Sequence, residues 1–487
     1  MRFDRWINEG PITLGMHLPL QTFPSKPIAP DRLYCSENFD LMGTIPERSP
    51  HLSQKNSYKV RFRDTDSDNI LTAFVLYSHV IISRGGPRRD MSYLPVFILT
   101  VALIQGVFCL LSTLKFFYLC KRLRTPRTTP VSLPPITIIV PCKGLDPGFR
   151  DNMRAFLNLQ YPNFQLIFVF ENTSDPAFEE VQSLCSQFKR SLCITTIAGP
   201  AQGRGQKVHN LLHALKRVRP EDKIILFGDS DIRPRSDWAR ALVINLDDPK
   251  IGLTTGFRWY LPVQGGIFSK LRSAWNGGVL SILDPDNAIF AWGGAMACPL
   301  HVLGTSEIEQ IWERALSDDF TISDAVRSRG YKIRFVPLAL SFSFEDCSFR
   351  ELWRWSHRQI SITRIYNPSL WALSWIGPIF FVSSIILGLY RSILALNQQG
   401  SFGLLSLTLI IVCLSAFQLT LRRAAISHLF PEYRSQLDPH LGLFDLFSGF
   451  FASLLTLIGL ARSICTRVIE WRGILYRMDS SRKTTIL

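Results

Sequence analysis

Uncharged apolar runs alternate along this chain with short, mixed-polarity segments. Tyr93–Leu114, Leu370–Tyr390 and Phe402–Leu421 each continue without a charged residue. Each is about the length of twenty residues or so that a helix needs to cross the hydrocarbon core of a bilayer. A weaker run, Leu446–Ala461, is broken up by Ser448, Gly449 and Gly459. Between the first run and the second the pattern changes. Ile136–Val140, Leu166–Phe170 and Ile224–Phe227 are short β-branched and aromatic strings bounded by turn residues, and helix-like stretches at Phe149–Leu159, Ala177–Phe188 and Lys207–Val218 separate them. Strand alternating with helix predicts βαβ units and a mainly parallel sheet, whose ligands gather at the carboxyl ends of the strands.

These patterns predict an α/β domain over residues 130–368, preceded by a transmembrane anchor at 93–119 and followed by a membrane region at 369–466. That region comprises a hairpin, 370–421, and the weaker run 446–461. Three crossings return the chain to the side it started from, and a fourth would carry the basic residues after it to the opposite side. The excess of Lys and Arg on cytoplasmic faces therefore favours a re-entrant or interfacial segment at 446–461 and a basic cytoplasmic tail at 467–487. Residues 1–90, with the Pro24, Pro27 and Pro30 cluster and one apolar patch near Ile70–Ile82, predict a poorly ordered extension, or a true start at Met91.

Charge sharpens the membrane reading. The formal net charge is +15. Nucleic-acid binding would call for a basic stripe on a soluble domain. Here the bases flank apolar runs instead: Lys121, Arg122, Arg124 and Arg127 after the first, Arg422 and Arg423 after the third, and Arg462, Arg467, Arg472 and Arg477 after the last. This is how a protein meets anionic headgroups, so the expected partners include a bilayer and no nucleic acid. The ten cysteines form no Cys-x-x-Cys pair, which suggests neither a metal cage nor a disulfide framework.

The sharpest chemical signal is Phe227-Gly-Asp-Ser-Asp231 at the end of a buried strand. Two carboxylates two residues apart can share a hard divalent cation, which suits Mg2+ or Mn2+ bridging the phosphates of a nucleotide sugar. Taken alone, such a pair is equally a solvated turn. Gly293 and Gly294, in Trp292–Ala297, allow close backbone approach to a sugar or acceptor, though a bare Gly-Gly is more often only a turn. Asp318 and Asp319 open a helix-like stretch. Asp319 suits a general base that removes a proton from an acceptor hydroxyl, and the bland alternative is a helix cap.

Taken in order, these segments resemble the family 2 glycosyltransferases of GT-A fold, and more closely the ceramide glucosyltransferase branch, over roughly residues 92–478. Pro141–Pro147, Glu171–Ala177, Gly205–Asn210, Asp229–Arg233, Gly293–Cys298 and Asp318–Phe320 carry the resemblance, and Glu351-Leu-Trp-Arg-Trp355 looks like the Gln-x-x-Arg-Trp signature. The resemblance implies that Glu171 and Asn172 hold the uridine and Lys207 steadies the nucleotide. It gives Asp229 and Asp231 to metal and diphosphate, and makes Asp319 the base of an inverting displacement. Arg354 and Trp355 would hold diphosphate and acceptor at the membrane face, with Gly293, Gly294, Asp318 and Arg358 also near the acceptor. A UDP-sugar donor, UDP-glucose above all, and a lipid acceptor such as ceramide are implied, with the catalytic domain on the cytoplasmic face of a bacterial inner or a Golgi or endoplasmic membrane. A hopanoid or other polyol lipid receiving N-acetylglucosamine is the nearest variant, and a pseudoenzyme that binds lipid or nucleotide without turnover is the alternative from another class. Glu351 stands where the family has Gln or Arg, so Arg350 or Arg358 is expected to supply the missing polar contact.

Overall fold

The computed structural model describes residues 94–123, 133–188, 192–395, 402–437 and 442–487. The expectation for residues 1–90 lies outside them. The α/β domain is built on β1 (Ile136–Pro141), β2 (Phe164–Phe170), β3 (Leu192–Ile197), β4 (Ile224–Gly228), β5 (Ile251–Thr255), β6 (Arg258–Leu261), β7 (Ala295–Pro299), β8 (Lys332–Phe335) and β9 (Ser341–Phe344). Seven of these strands form one sheet in the order β3-β2-β1-β4-β7-β5-β8, and β6 pairs with β9 in a small second sheet. In the large sheet only the pairings of β7, with β4 and with β5, are antiparallel; the others are parallel. The arrangement is the expected mainly parallel α/β sheet, with apolar helices on either side of it in sequence.

Successive residues of a strand point to opposite faces. Ile138 and Val140 of β1 pack with Phe156, Phe168 and Trp238 on one face. Ile139 packs with Ile167, Val208, Phe227 and Trp312 on the other. With both faces covered by helices, the central strands β1 and β4 are apolar at almost every position, which is why they read as continuous hydrophobic strings.

Four helices are long and apolar enough to cross a membrane: Leu94–Arg122, Pro368–Leu394, Gly403–Leu429 and Leu443–Cys465. The last extends the expected 446–461 segment into a continuous helix. Its first turn is tied to Arg423, which donates to both oxygens of Asp445 at 2.9 Å. Its last turn is tied to Arg364 and Trp371 through Ser463. Midway, Trp275 of the α/β domain donates to Thr456 at 2.8 Å.

Residues 467–487 do not form a bare basic tail. They fold into β10 (Val468–Trp471), β11 (Ile474–Ser480) and β12 (Lys483–Ile486), an antiparallel sheet. Ile469, Tyr476 and Met478 face inward onto Leu316, Phe320, Ile362 and Tyr366. The alternation of apolar and charged residues here is a strand pattern of period two, masked by the density of arginine. A second correction concerns the cysteines: Cys185 and Cys193 are joined in a disulfide, because the helix Pro176–Gln187 leads back towards β3 and brings residues eight apart side by side.

Candidate active site

The carboxyl end of β4 delivers Asp229 and Asp231 into a cavity of about 820 Å³ that also takes in Lys207, Gly293, Asp318, Asp319, Arg354, Trp355 and Arg358. Local sequence explains each placement. Lys207 lies in the first turn of the helix Gln206–Leu215. Gly205 before it has its amide on the carbonyl of Ala315, and a Cβ there would lie 2.8 Å from the Leu316 side chain. Glycine thus brings that helix against the loop that carries the second acidic pair. Ser317 caps the helix Asp318–Ser328, and Asp318 and Asp319 occupy its first turn, where the helix dipole favours negative charge.

Lys207 links the two acidic pairs. Its Nζ is 2.8 Å from Asp229 Oδ1 and 2.9 Å from Asp318 Oδ2. Gly293 is pressed against this pairing: a Cβ there would meet Asp318 Oδ2 at 2.3 Å and Lys207 Nζ at 3.1 Å. A Cβ on Gly294 would lie 2.6 Å from Asp229 Oδ2. The two glycines are therefore more than a turn, since they let the backbone pass directly over the acidic centre. Asp319 accepts hydrogen bonds from the Ser317 hydroxyl and, at 2.8 Å, from the Phe320 amide, while its other oxygen faces the Gly293 amide at 3.4 Å.

Burial pushes Asp318 up to about 6, against the opposing pull of Lys207. Asp229 is instead held below the ordinary carboxylate range: burial raises it, and Lys207 and Arg258 together outweigh that. For Asp318 the folded state keeps a proton that the unfolded chain releases near pH 4. This contribution to stability is present below pH 4 and is lost as pH rises to about 6, by at most about 3 kcal/mol. Denaturation of detergent-solubilised protein between pH 4 and 6 is expected to show a steeper decline in stability for wild type than for Asp318→Asn. Equal slopes would contradict this assignment.

Arg258, which sequence reasoning passed over, lies between the paired acids. Its Nη2 is 2.8 Å from Asp229 Oδ2 and 2.6 Å from Asp231 Oδ1, and its Nη1 is 2.8 Å from Asp231 Oδ2. The available signal was a single charge inside the apolar string Phe257-Arg-Trp-Tyr260, because a buried arginine in a strand needs carboxylate partners. Among the described residues no group of three or more His, Cys, Asp or Glu could hold a metal ion. The donor set still fits Mg2+ or Mn2+ in kind, since such ions are commonly held by one or two carboxylates, with substrate phosphates and water completing the shell.

Other expected residues lie further out. Glu171 pairs with Lys143 at 2.5 Å, and Asn172 accepts from Ser174 at the surface. Lys143 lines the cavity, whereas Glu171 and Asn172 do not. Asp175 caps its helix, accepting from the Ala177 amide at 2.9 Å. Arg354 is half-exposed and pairs with Glu470 of β10 at 3.2 Å. Trp355 sits edge-on to both Tyr260 and Trp275. Glu351 is engaged in a capping box with Ser348, accepting from its amide at 2.8 Å and its hydroxyl at 2.9 Å. Its charge therefore serves the N-terminus of the helix Phe349–Tyr366, a role the Ser-x-x-Glu spacing already signals. Of the two arginines expected to compensate, Arg358 lines the cavity and Arg350 does not.

Comparison with known proteins adds three findings. The profile of glycosyl transferase family 21 matches residues 94–484. Ceramide glucosyltransferase 1 of Caenorhabditis elegans is 30% identical over 139 residues, covering 28% of this chain and 29% of the relative. Ceramide glucosyltransferase 3 of the same organism is 31% identical over 158 residues, covering 31% and 34%. The chain thus spans about a third of the length of these relatives. Among solved structures, a mannosyltransferase from Pyrobaculum calidifontis in complex with GDP-Man and Mn2+ covers 75% of this chain and 99% of its own at 14% identity, with a TM-score of 0.40. Glucosyl-3-phosphoglycerate synthase from Mycobacterium tuberculosis, in complex with Mn2+ and UDP-glucose, covers 47% and 78% at 18% identity, with a TM-score of 0.32.

Proposed function

The chain belongs to glycosyl transferase family 21, and on that premise we propose that it moves glucose from UDP-glucose onto the hydroxyl of a membrane lipid such as ceramide, with inversion at the anomeric carbon. The observation that carries this reading is a single cavity with two unlike walls. One wall holds the acids and cations around Asp229, Asp231, Lys207, Asp318 and Asp319; the other is formed by Leu370, Trp371, Thr456 and Leu460 of the apolar helices. A polar donor and a lipid whose chains stay in the bilayer can meet only at such a boundary.

In this reading the acceptor oxygen attacks the anomeric carbon, the bond from that carbon to the diphosphate breaks, and Asp319 takes the hydroxyl proton. One base and direct attack require no carboxylate nucleophile. Asp229 and Asp231 would hold a Mn2+ or Mg2+ ion, whose contribution is to offset the charge on the departing diphosphate. Lys207 would add a fixed positive charge on the same side, and Arg354 and Trp355 would help hold the diphosphate and the acceptor. Glu171 and Asn172, just after β2, would hold the uridine from beside the cavity, with Lys143, paired to Glu171, in its lining. The domain is placed on the cytoplasmic face, with Leu443–Cys465 as an interfacial helix. That placement is supported by the basic flanks and by polar ties to Arg423 and Arg364 at the two ends of that helix.

The test is product identification. Membranes containing the protein are incubated with UDP-glucose or UDP-N-acetylglucosamine and a panel of ceramides and polyol lipids, with Mn2+, Mg2+ or a chelator, and the lipids are analysed by mass spectrometry and NMR. The expected product is a β-glucosylated ceramide whose yield falls on chelation. N-acetylglucosamine on a polyol lipid would replace this donor and acceptor with the hopanoid-type pair, and an α-linked product would remove the inverting mechanism.

A further inference from the structure

The turn between β10 and β11 places Arg472 in the wall of the catalytic cavity. Trp471 pairs with Ile474, leaving Arg472 and Gly473 as a two-residue hairpin loop with φ of 52° and 76°. Positive φ at both positions is the mirror-image turn for which Asn-Gly is the favoured sequence. Arg472 is the only non-glycine residue with positive φ among those described. A local turn preference therefore does not account for arginine here, and its contacts must.

Its guanidinium forks onto Asp146, at 2.5 Å and 2.9 Å. It also lies 3.9 Å from Asp231, the second of the paired acids. Asp146 is almost wholly buried and Arg472 is about one-third exposed, so the pair anchors one side of the guanidinium while the group stays open to the cavity. An arginine has five N–H donors, which leaves some for a second anion. Beside it, Arg358 stacks on Trp471 of the same hairpin at 4.9 Å. Arg358 makes no hydrogen bond or ion pair among the described residues, and its burial, with Arg472 and Arg258 nearby, brings it down to about 10. Two guanidiniums, one of them without an ion pair among the described residues, thus line the cavity that holds Asp229 and Asp231.

We propose that Arg472 is a ligand of the donor's diphosphate, carried into the cavity by the C-terminal hairpin, with Arg358 beside it. The fork geometry of arginine matches phosphate oxygens two at a time. The inference rests on the nucleotide-sugar reading above, and it makes the C-terminal sheet part of the catalytic centre rather than a tail.

The test uses the full chain in detergent and titrates UDP and uridine separately, in the presence of Mn2+, into wild type, Arg472→Asn and Arg472→Lys. Asn suits the positive-φ turn, so Arg472→Asn removes the guanidinium while keeping the hairpin, which a melting curve checks. Wild type is expected to bind UDP more tightly than uridine. Arg472→Asn should weaken UDP binding about ten- to a hundredfold and leave uridine binding unchanged, as expected for losing one or two charge-assisted hydrogen bonds. Arg472→Lys, which keeps the charge and the strained backbone, should lose only severalfold. UDP affinity within twofold of wild type in a folded Arg472→Asn protein would overturn the proposal and leave the donor reading intact. Wild type that binds neither ligand would overturn the donor reading and the proposal with it.

Discussion

Asp319→Asn is expected to lower sugar transfer by roughly 10²- to 10⁴-fold, the usual contribution of a positioned general base, while leaving donor affinity and stability close to wild type. The substitution is nearly isosteric. An asparagine carbonyl can still accept from the Ser317 hydroxyl and the Phe320 amide, the contacts that hold Asp319 in the first turn of its helix. What it cannot do is take a proton. If Asp319 served only to hold the first turn of its helix, Asn, which keeps both of these contacts, would leave transfer unchanged. Rate and UDP affinity measured on the same preparation separate the two roles. A fall in rate accompanied by equal loss of affinity or of folded protein would count against the base assignment.

Lys207→Met is expected to cost about 3–5 kcal/mol of stability at neutral pH, because removing one partner of a buried ion pair leaves uncompensated charge behind. Here two carboxylates are left. Lys207 is largely buried and Asp318 almost completely so, while Asp229 lies on the other side of the ammonium. Without it, Asp318 and Asp229 repel across the gap, and Asp318, already raised by burial, would hold its proton to still higher pH. Melting of the variant should therefore fall well below wild type at pH 7 and recover part of the difference at pH 5, where Asp318 is neutral. A variant as stable as wild type at pH 7 would show that the ammonium is not needed to neutralise these acids.

The parts of this site that were legible in the sequence are those with a local cause. A buried strand followed by Asp-Ser-Asp brings both carboxylates to its carboxyl end. The helix that begins at Asp318 needs only its own cap. The membrane-length helices follow from uncharged length alone. What could not be read is the matching of charges between distant segments. Arg258 comes from β6, Lys207 from a helix after β3, and Arg472 from the far end of the chain, and their meeting depends on tertiary packing. Two local signals were passed over. The alternation of Ile469, Tyr476 and Met478 inward marks strands, although the arginines around them read more readily as a membrane-facing tail. The spacing from Ser348 to Glu351 marks a capping box, which engages one oxygen of Glu351 while the residue still lines the cavity.

Arg258 bears on how the donor enters. Its guanidinium contacts both paired acids, so a divalent ion must share those oxygens with it or displace it. The surrounding protein already supplies positive charge at this point, through Lys207, Arg258 and Arg472, before any metal binds.

The central claim, that this cavity transfers sugar to lipid with Asp319 as base, is tested most directly by one comparison. Membranes carrying equal amounts of wild type or Asp319→Asn protein are given radiolabelled UDP-glucose and ceramide, and label is counted in the organic extract. The account predicts label in lipid from wild type and a loss of at least about a hundredfold in the variant. Equal labelling from both proteins, or none from folded wild type with any nucleotide sugar and lipid offered, would contradict it, and the second outcome would point to a binding protein without turnover.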